Sequence, residues 1–351
     1  MGNGLSDALA RAGWEALELP NLERSFTRSQ SCIAKARDHL ASELVDADPR
    51  IDVVVFGSLA RYEMTEASDL DWLVVVHALP DKRTSVEAAL AAADSLRGVM
   101  SGDGGEIREH GSSGVFGQMV SAVELVEVIG LQADTNHSHT RRILLIEESV
   151  SLRDEVLHRN LLTTTFQRYL DAHPPTSTGV PRFLLNDLLR YWRTVTVDYQ
   201  AKSPAQSMYS LRYLKLIVSR KLTFAASLLP LLVLALQEPR PDVEELAEKL
   251  YESFRQPALV RLVDSLAILS KMCAEVADPA QQVLRIAEEF NGLLGDADWR
   301  ARINEASRRP NPKDQNEFSA ARALGRLLQD SLERIFFAEP LLPLTRSLLL
   351  F

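Results

Sequence analysis

The stretch "VVVFGSLARYEMTEASDLDWLVVV", residues 53–76, decides the fold. Its opening continues the run Ile51 to Phe56, which is rich in β-branched and aromatic residues and predicts a buried strand. Its end, Asp69 to Val76, predicts a second strand. Gly57-Ser58 closes the first strand, and the more polar segment from Leu59 to Ser68 is expected to begin with a helical turn.

Two aspartates, Asp69 and Asp71, open the second strand. Because side chains alternate along a strand, both carboxylates point one way, and Leu70 and Trp72 point the other. Carboxylates this close repel each other, which is costly at a half-buried position unless a cation sits between them. Mg²⁺ (or Mn²⁺) suits the pair, because Mg²⁺ prefers oxygen ligands and often combines one or two carboxylates with substrate phosphates.

The Gly57-Ser58 turn predicts a phosphate site. Glycine lets the backbone approach a phosphate closely, and Ser58 adds a hydroxyl beside backbone N–H groups that can form an anion-binding nest. Arg61 is near enough in sequence to reach the same phosphate with its fork of donors. Ser68, directly before the aspartates, is assigned to the same nucleotide-binding set.

Gly57-Ser58, ten intervening residues, Asp69-Leu70-Asp71 and an apolar strand together resemble the signature of DNA polymerase β-like nucleotidyltransferases. The resemblance implies an enzyme that binds an NTP such as ATP and moves its NMP group to an acceptor hydroxyl, releasing pyrophosphate. Asp69 and Asp71 would then hold the metal, with Gly57 and Ser58 on the β and γ phosphates.

The resemblance also implies a third carboxylate from the next strand, and Glu106 is the choice. It lies in "GGEIREHGSSG", which is similar to the corresponding stretch of the PII-protein uridylyltransferases, although those have Asp where this chain has Glu. The competing acids are Asp103, Glu109, Glu124 and Glu127.

Three later segments, "TRRILLIEES" (140–149), "LLNDLLRYWRTVTVDY" (184–199) and "LRYLKLIVSRKL" (211–222), resemble nucleotidyltransferases with a helical C-terminal domain that are related to the PII uridylyltransferases. The resemblance covers roughly residues 25–235. Arg190, Arg212 and Lys215 either hold triphosphate or an acidic acceptor, or pair with acids such as Asp187. Arg141-Arg142 is expected to be a solvated helix start.

The fold class predicted is α+β, with a small mixed-sheet nucleotidyltransferase domain followed by a mostly helical domain. The expected divisions are an N-terminal helical segment (1–45), the catalytic domain (46–170) and a helical C-terminal domain (182–351). The capping-box spacing from Thr84 to Glu87 predicts a helix to about Met100. Glu106 to His110 is the candidate third strand, and from Ser121 onward the patterning predicts helix almost throughout.

Composition limits the function classes. The 351 residues carry a net charge of -9, which argues against a general nucleic-acid binder. Two cysteines without nearby partners fit a reducing cytosol, so a cytoplasmic location is expected. Leu222 to Leu236 is apolar but short and contains Pro230, which predicts a buried helix pair rather than a membrane span.

The acceptor stays open at this point, with a protein or small molecule favoured over a nucleic acid because of the negative charge. Two alternatives to an enzyme are a nucleotide-sensing regulator that keeps the fold without turnover and an antitoxin-like partner. The intact pair of Asp69 and Asp71 argues against a pure sensor, which would not need both charges.

Overall fold

A computed structural model describes residues 4–78, 83–100, 115–130, 132–175, 178–201, 209–306 and 316–350. The chain divides into two compact units. One, the sheet unit, consists of Ser25–Pro174 and Pro241–Pro257; the other, the helical unit, consists of Met1–Arg24, Pro175–Arg240 and Ala258–Phe351. The domain boundaries expected from the sequence stay predictions beside this division.

The strands described lie in the sheet unit and form one mixed sheet, which with the mostly helical remainder confirms the α+β class. They are β1 (Ile51–Phe56), β2 (Asp71–Val76), β3 (Gln118–Ser121) and β4 (Ser149–Ser151), in the order β3-β2-β1-β4. β1 runs antiparallel to β2 and β4, whereas β2 and β3 are parallel.

The helices of the described chain have the following bounds: α1 Leu5–Ala12, α2 Pro20–Glu43, α3 Gly57–Ala60, α4 Arg83–Met100, α5 Ala122–Val126, α6 Asn136–Glu147, α7 Glu155–Ala172, α8 Arg182–Ala201, α9 Tyr209–Lys215, α10 Lys221–Ala235, α11 Val243–Phe254, α12 Ala258–Met272, α13 Ala277–Gly295, α14 Ala297–Ala306, α15 Asn316–Phe336 and α16 Leu342–Thr345. Single π-helical turns cover Leu216–Arg220 and Arg346–Leu350, and a 3₁₀ turn covers Ala274–Val276.

The core of the sheet unit lies on one face of β1 and β2. Alternate residues of β1, such as Val53 and Val55, pack there with Leu40 of α2 and Leu96 of α4, all buried. Each such side chain contributes roughly 1.5–3 kcal/mol when it leaves water. The same face buries Trp72. Because side chains alternate along β2, the neighbour of Trp72, Asp71, lies on the other face of the strand.

The longer elements predicted from periodicity are present, whereas the shortest strand was not predicted. β1 has the predicted bounds, β2 begins two residues later than expected, and α4 ends at Met100 as expected. The prediction of helix almost throughout after Ser121 is wrong at β4, which has only three residues and no alternation to recognise. The proposed strand at Glu106 to His110 lies outside the described residues.

The prediction that Arg141-Arg142 is a solvated helix start is wrong for Arg142, which is fully buried. Its Nε donates to the Tyr169 hydroxyl at 2.8 Å, and its Nη2 donates to Asp134 Oδ2 at 2.7 Å. Burial alone would lower the Arg142 pKa, but Tyr169 and Asp134 outweigh burial and raise it. The residue is therefore a structural cation that ties α6 to α7.

The apolar stretch 222–236 forms one helix, α10, rather than the expected pair. Pro230 sits inside α10, where its missing N–H leaves the carbonyl of Ala226 without a helical donor. The Nε of Arg261, on α12, donates to that carbonyl oxygen at 2.8 Å. Arg261 is buried, and the carbonyl that the proline leaves without a helical donor is one of its acceptors.

By length and composition, the continuous helical segment Tyr209–Ala235 could cross a membrane. Within its most apolar window, 72% of the segment is buried inside the protein. The core helix of a water-soluble protein passes the same test, so this finding is weak evidence for a span.

Candidate active site

Asp71 is the first residue of β2 and lies beside Gly57, and Asp69 precedes it by two residues. Leu70 and Trp72 are buried in the core, Asp69 is exposed and Asp71 is half-buried, as the strand alternation predicts. Asp71 pairs with Phe56 across β1 and β2, so it stands next to the first residue of the turn. The Asp71 side chain therefore lies on the opposite side of β2 from the buried Trp72.

Gly57 is required at its position for two reasons. Its φ is +68°, a left-handed conformation that side chains with a Cβ rarely adopt. A Cβ built on Gly57 would lie 2.9 Å from Oδ2 of Asp71, closer than real contacts allow. The Asp71 carboxylate thus lies directly over the glycine backbone, and the space above Gly57 belongs to the site.

Backbone hydrogen bonds fold the chain tightly after the turn. The amide of Arg61 donates to the Gly57 carbonyl at 2.9 Å, and the amide of Glu63 donates to the Ser58 carbonyl at 2.9 Å. Ser58 itself is half-buried. Tyr62 takes a φ of +60°, which is uncommon for a residue other than glycine.

Arg61 is buried and bound by two carboxylates. Its Nε donates to Glu63 Oε2 at 2.9 Å, and its Nη1 is paired with Glu148 Oε2. Its assignment to a phosphate stays a prediction, but the contacts seen here are those of a buried ion pair. Ser68 is also buried, and its Oγ accepts a hydrogen bond from the Thr65 amide at 3.0 Å, which closes the loop before Asp69.

The five acids considered for the third carboxylate fall into two groups. Glu106, Asp103 and Glu109 lie outside the described residues. Glu124 and Glu127 are exposed, the first on α5 and the second just after it. Glu127 forms an exposed ion pair with Nη2 of Arg168 at 2.9 Å. Glu106 remains the predicted third ligand.

The three predicted cations Arg190, Arg212 and Lys215 lie in the helical unit, on α8 and α9. Arg190 is half-buried, and its Nη1 is 3.9 Å from Oδ1 of Asp187. Asp187 is the acid that the sequence analysis gave as an alternative partner. Lys215 is exposed. Their predicted role with phosphate or acceptor therefore stays a prediction.

The short segment from Val115 to Gly117 makes contacts with β1, β2 and α6 that no sequence pattern predicts. The ring of Phe116 packs on Phe56 with centroids 5.4 Å apart, and the next residue, Gly117, donates its amide to the Trp72 carbonyl at 2.8 Å. Arg141 donates from Nε to the Val115 carbonyl at 3.1 Å. Burial lowers the Arg141 pKa, and the charge of Glu124 opposes that effect. Only the fold brings Phe116 to β1 and Gly117 to β2.

The donor set of the described residues narrows the chemistry. It contains no group of three or more His, Cys, Asp or Glu side chains arranged to hold a metal ion. Asp69 and Asp71 offer hard oxygen ligands that suit Mg²⁺ when substrate phosphates supply the others. The pair of Ser149 and His158, 2.8 Å apart, is not an activated nucleophile, because Ser149 Oγ donates instead to the Leu145 carbonyl at 2.6 Å.

Comparison with known proteins supports this class of site. Residues 37–101 match the family model of the nucleotidyltransferase domain. The match runs from the second half of α2 through β1, the Gly57-Ser58 turn, both aspartates and β2 to the end of α4. This segment, about a fifth of the chain, is therefore similar to the nucleotidyltransferase domain of the polymerase β-like superfamily. No curated protein matches the chain.

Proposed function

We propose that this protein is an Mg²⁺-dependent nucleotidyltransferase that moves an NMP group from an NTP to an acceptor hydroxyl. One observation carries the proposal. The Asp71 carboxylate lies over the backbone of a left-handed Gly57, inside the segment that matches the nucleotidyltransferase domain. A carboxylate can bind the metal ion of a metal-bound triphosphate, and a glycine backbone beside it lets the phosphates approach closely.

Asp69 and Asp71 would hold Mg²⁺ (or Mn²⁺), with Glu106 as the third ligand. Their fit rests on oxygen chemistry and on the exposed and half-buried positions of the two aspartates. The ion would neutralise charge on the triphosphate and on the leaving pyrophosphate. A half-buried carboxylate such as Asp71 is stabilised by such a cation, which explains its tolerance next to a buried strand.

In the reaction, the acceptor oxygen attacks the α-phosphorus and forms the new P–O bond. The bond from the α-phosphorus to the bridging oxygen of the β-phosphate breaks, and pyrophosphate leaves with that electron pair. The acceptor proton passes to a base, for which Glu106 is the candidate. Gly57 and Ser58 bind the β and γ phosphates, so that positioning and charge complementarity supply most of the rate.

A protein or a small molecule is the proposed acceptor class, in keeping with the net charge of -9 and with the sequence resemblance to the PII uridylyltransferases. Arg190, Arg212 and Lys215 are proposed to hold an anionic part of donor or acceptor. A cytoplasmic enzyme is expected on the same sequence grounds. ATP is one donor to test among the four ribonucleotides.

The test is incubation with Mg²⁺ and each NTP labelled at the α-phosphate, with and without cell lysate, followed by measurement of pyrophosphate and labelled product. Asp69→Asn and Asp71→Asn should each lower turnover at least 100-fold. The matched control is Asp38→Asn, an exposed aspartate of α2 in the same unit, which should keep full turnover.

The same assay separates the alternatives. If wild type and both site variants are equally silent while the NTP still binds, the protein is a nucleotide-sensing regulator and the enzyme proposal fails. If no NTP binds at all, an antitoxin-like or other interaction role replaces both. Glu106→Gln tests the third ligand, since full activity in that variant assigns the role to another acid.

A further inference from the structure

A buried triad of charges stands behind the Gly57-Ser58 turn. Arg61 is only 7% exposed and binds Glu63 through Nε and Glu148 through Nη1. The Glu148 side chain is 0% exposed and the Glu63 side chain 18%. Two acids from separate parts of the chain thus grip one guanidinium, and we call Arg61, Glu63 and Glu148 the turn triad.

The turn triad is bonded directly to the turn. The backbone amides of Arg61 and Glu63 donate to the carbonyls of Gly57 and Ser58, respectively. Two of the three members therefore hold the two residues proposed to bind the phosphates. A shift of the Arg61 side chain would be transmitted to that turn through these short hydrogen bonds.

The residue between the two triad members shows that the segment is constrained. Tyr62 has a φ of +60°, a conformation that persists in such a residue only where its surroundings fix it. Its ring packs on Phe26 with centroids 4.7 Å apart, and its two chain neighbours, Arg61 and Glu63, form the ion pair. The triad thus supplies part of the constraint.

Glu148 is placed independently of the turn. Its amide donates to the Leu144 carbonyl at 2.9 Å at the end of α6, and the next residue, Ser149, pairs with Phe56 across β4 and β1. Glu148 is therefore held next to Phe56, the last residue of β1. Phe56 directly precedes the turn and pairs with Asp71.

We propose that Glu148, through Arg61, is a positioning residue that sets the Gly57-Ser58 turn against Asp71 for nucleotidyl transfer. The inference rests on the proposed function and changes the role of Arg61, from a phosphate ligand to a residue that acts through the turn. Because the guanidinium is already occupied by two carboxylates, its charge is directed at the protein and not at the ligand.

The experiment compares Glu148→Gln, Arg61→Gln and the double variant in the full-length protein. Glu155→Gln is the matched control, because Glu155 forms an exposed ion pair with Arg37 at 2.6 Å in the same unit. The measurements are kcat and KM for the NTP, thermal unfolding, and hydrogen exchange of the backbone amides in the segment 57–63. Arg61→Lys and Glu148→Asp serve where a glutamine variant does not fold.

Positioning predicts that both single variants lower kcat about 10- to 100-fold with a KM for the NTP within about threefold of wild type, since small misplacements cost that much. The double variant should be no worse than either single one, because both remove the same interaction. Amide exchange in the segment 57–63 should rise in all three variants and stay unchanged in Glu155→Gln.

Three results would overturn the inference. A raised KM in Arg61→Gln alone, with multiplicative effects in the double variant, would make Arg61 a phosphate ligand. Unchanged kcat per folded molecule, with only a lower unfolding temperature, would make the triad purely structural. Unchanged amide exchange in the segment 57–63 would refute the positioning, whether or not the wild type shows turnover. Absence of turnover in the wild type would contradict only the proposed function.

Discussion

Substituting Gly57 by alanine tests the geometry of the site most directly. The substitution imposes two separate penalties. An alanine at a φ of +68° costs about 1–2 kcal/mol, because the left-handed conformation crowds its Cβ. The new Cβ would also lie 2.9 Å from Oδ2 of Asp71, where ordinary contact begins at 3.4 Å. One of the two groups must therefore move by about 0.5 Å.

The Asp71 side chain is the group that can move. Its backbone is fixed by pairing with Phe56, whereas the carboxylate can rotate away from the new methyl group. A functional group must be held within about 0.5 Å of its productive position, and a displacement of about 1 Å costs on the order of 100-fold in rate. We therefore expect Gly57→Ala to lower kcat about 10- to 100-fold.

Gly13→Ala is the control for backbone strain. Gly13 has nearly the same φ, +72°, and no atom lies within 4 Å of the position its Cβ would take. Gly13→Ala should lose about 1–2 kcal/mol of unfolding free energy in urea titrations and Gly57→Ala at least as much, but only Gly57→Ala should lose pyrophosphate release. Full kcat in a folded Gly57→Ala protein would refute the placement of Asp71 over the turn, and so would an equal loss in Gly13→Ala.

Two further predictions concern stability. Burial raises the pKa of Asp52 to about 7 from 3.8, so its stabilising effect is complete below pH 3.8 and is lost as the pH rises to 7. Relative to Asp52→Asn, wild type should therefore lose about 4 kcal/mol between pH 4 and pH 8 in urea unfolding, and a constant difference would contradict this. Arg261→Leu should cost about 1–3 kcal/mol by leaving the Ala226 carbonyl without its donor, and the cost should shrink in a Pro230→Ala background, which restores a helical N–H. A cycle with no coupling would refute the link between the proline and the arginine.

The sequence predicted the parts of the site whose causes are local. β1 and the facing of Asp69 and Asp71 follow from β-branched runs and from alternation, which operate over a few neighbouring residues. The Gly57-Ser58 turn is also a local feature, because glycine directly after a strand predicts a turn. β4 was missed because three residues carry no periodicity, although it places Glu148.

The ion pairs of Arg61 could not be predicted from the sequence, for a different reason. Its partner Glu148 lies 87 residues away, and nothing in either local sequence points to the other. The proximity of Arg61 to Gly57-Ser58 along the chain predicted a phosphate ligand. The fold also brings the Glu148 carboxylate to its guanidinium. Arg142 is similar, since its partners Tyr169 and Asp134 come from elements that only packing brings together.

Burial separates the charges that maintain this fold from those that can act on a ligand. A buried charge is tolerated only where partners are already in place, as for Arg61 with its two acids and Arg261 with the Ala226 carbonyl. Asp69 and Asp71 differ because they are exposed and half-buried where the chain enters β2, while their neighbours Leu70 and Trp72 are buried in the core. Core packing on one face of β2 therefore fixes the position of the carboxylates on the other. The apolar run after Asp71 is what makes a precise, accessible pair of acids physically possible.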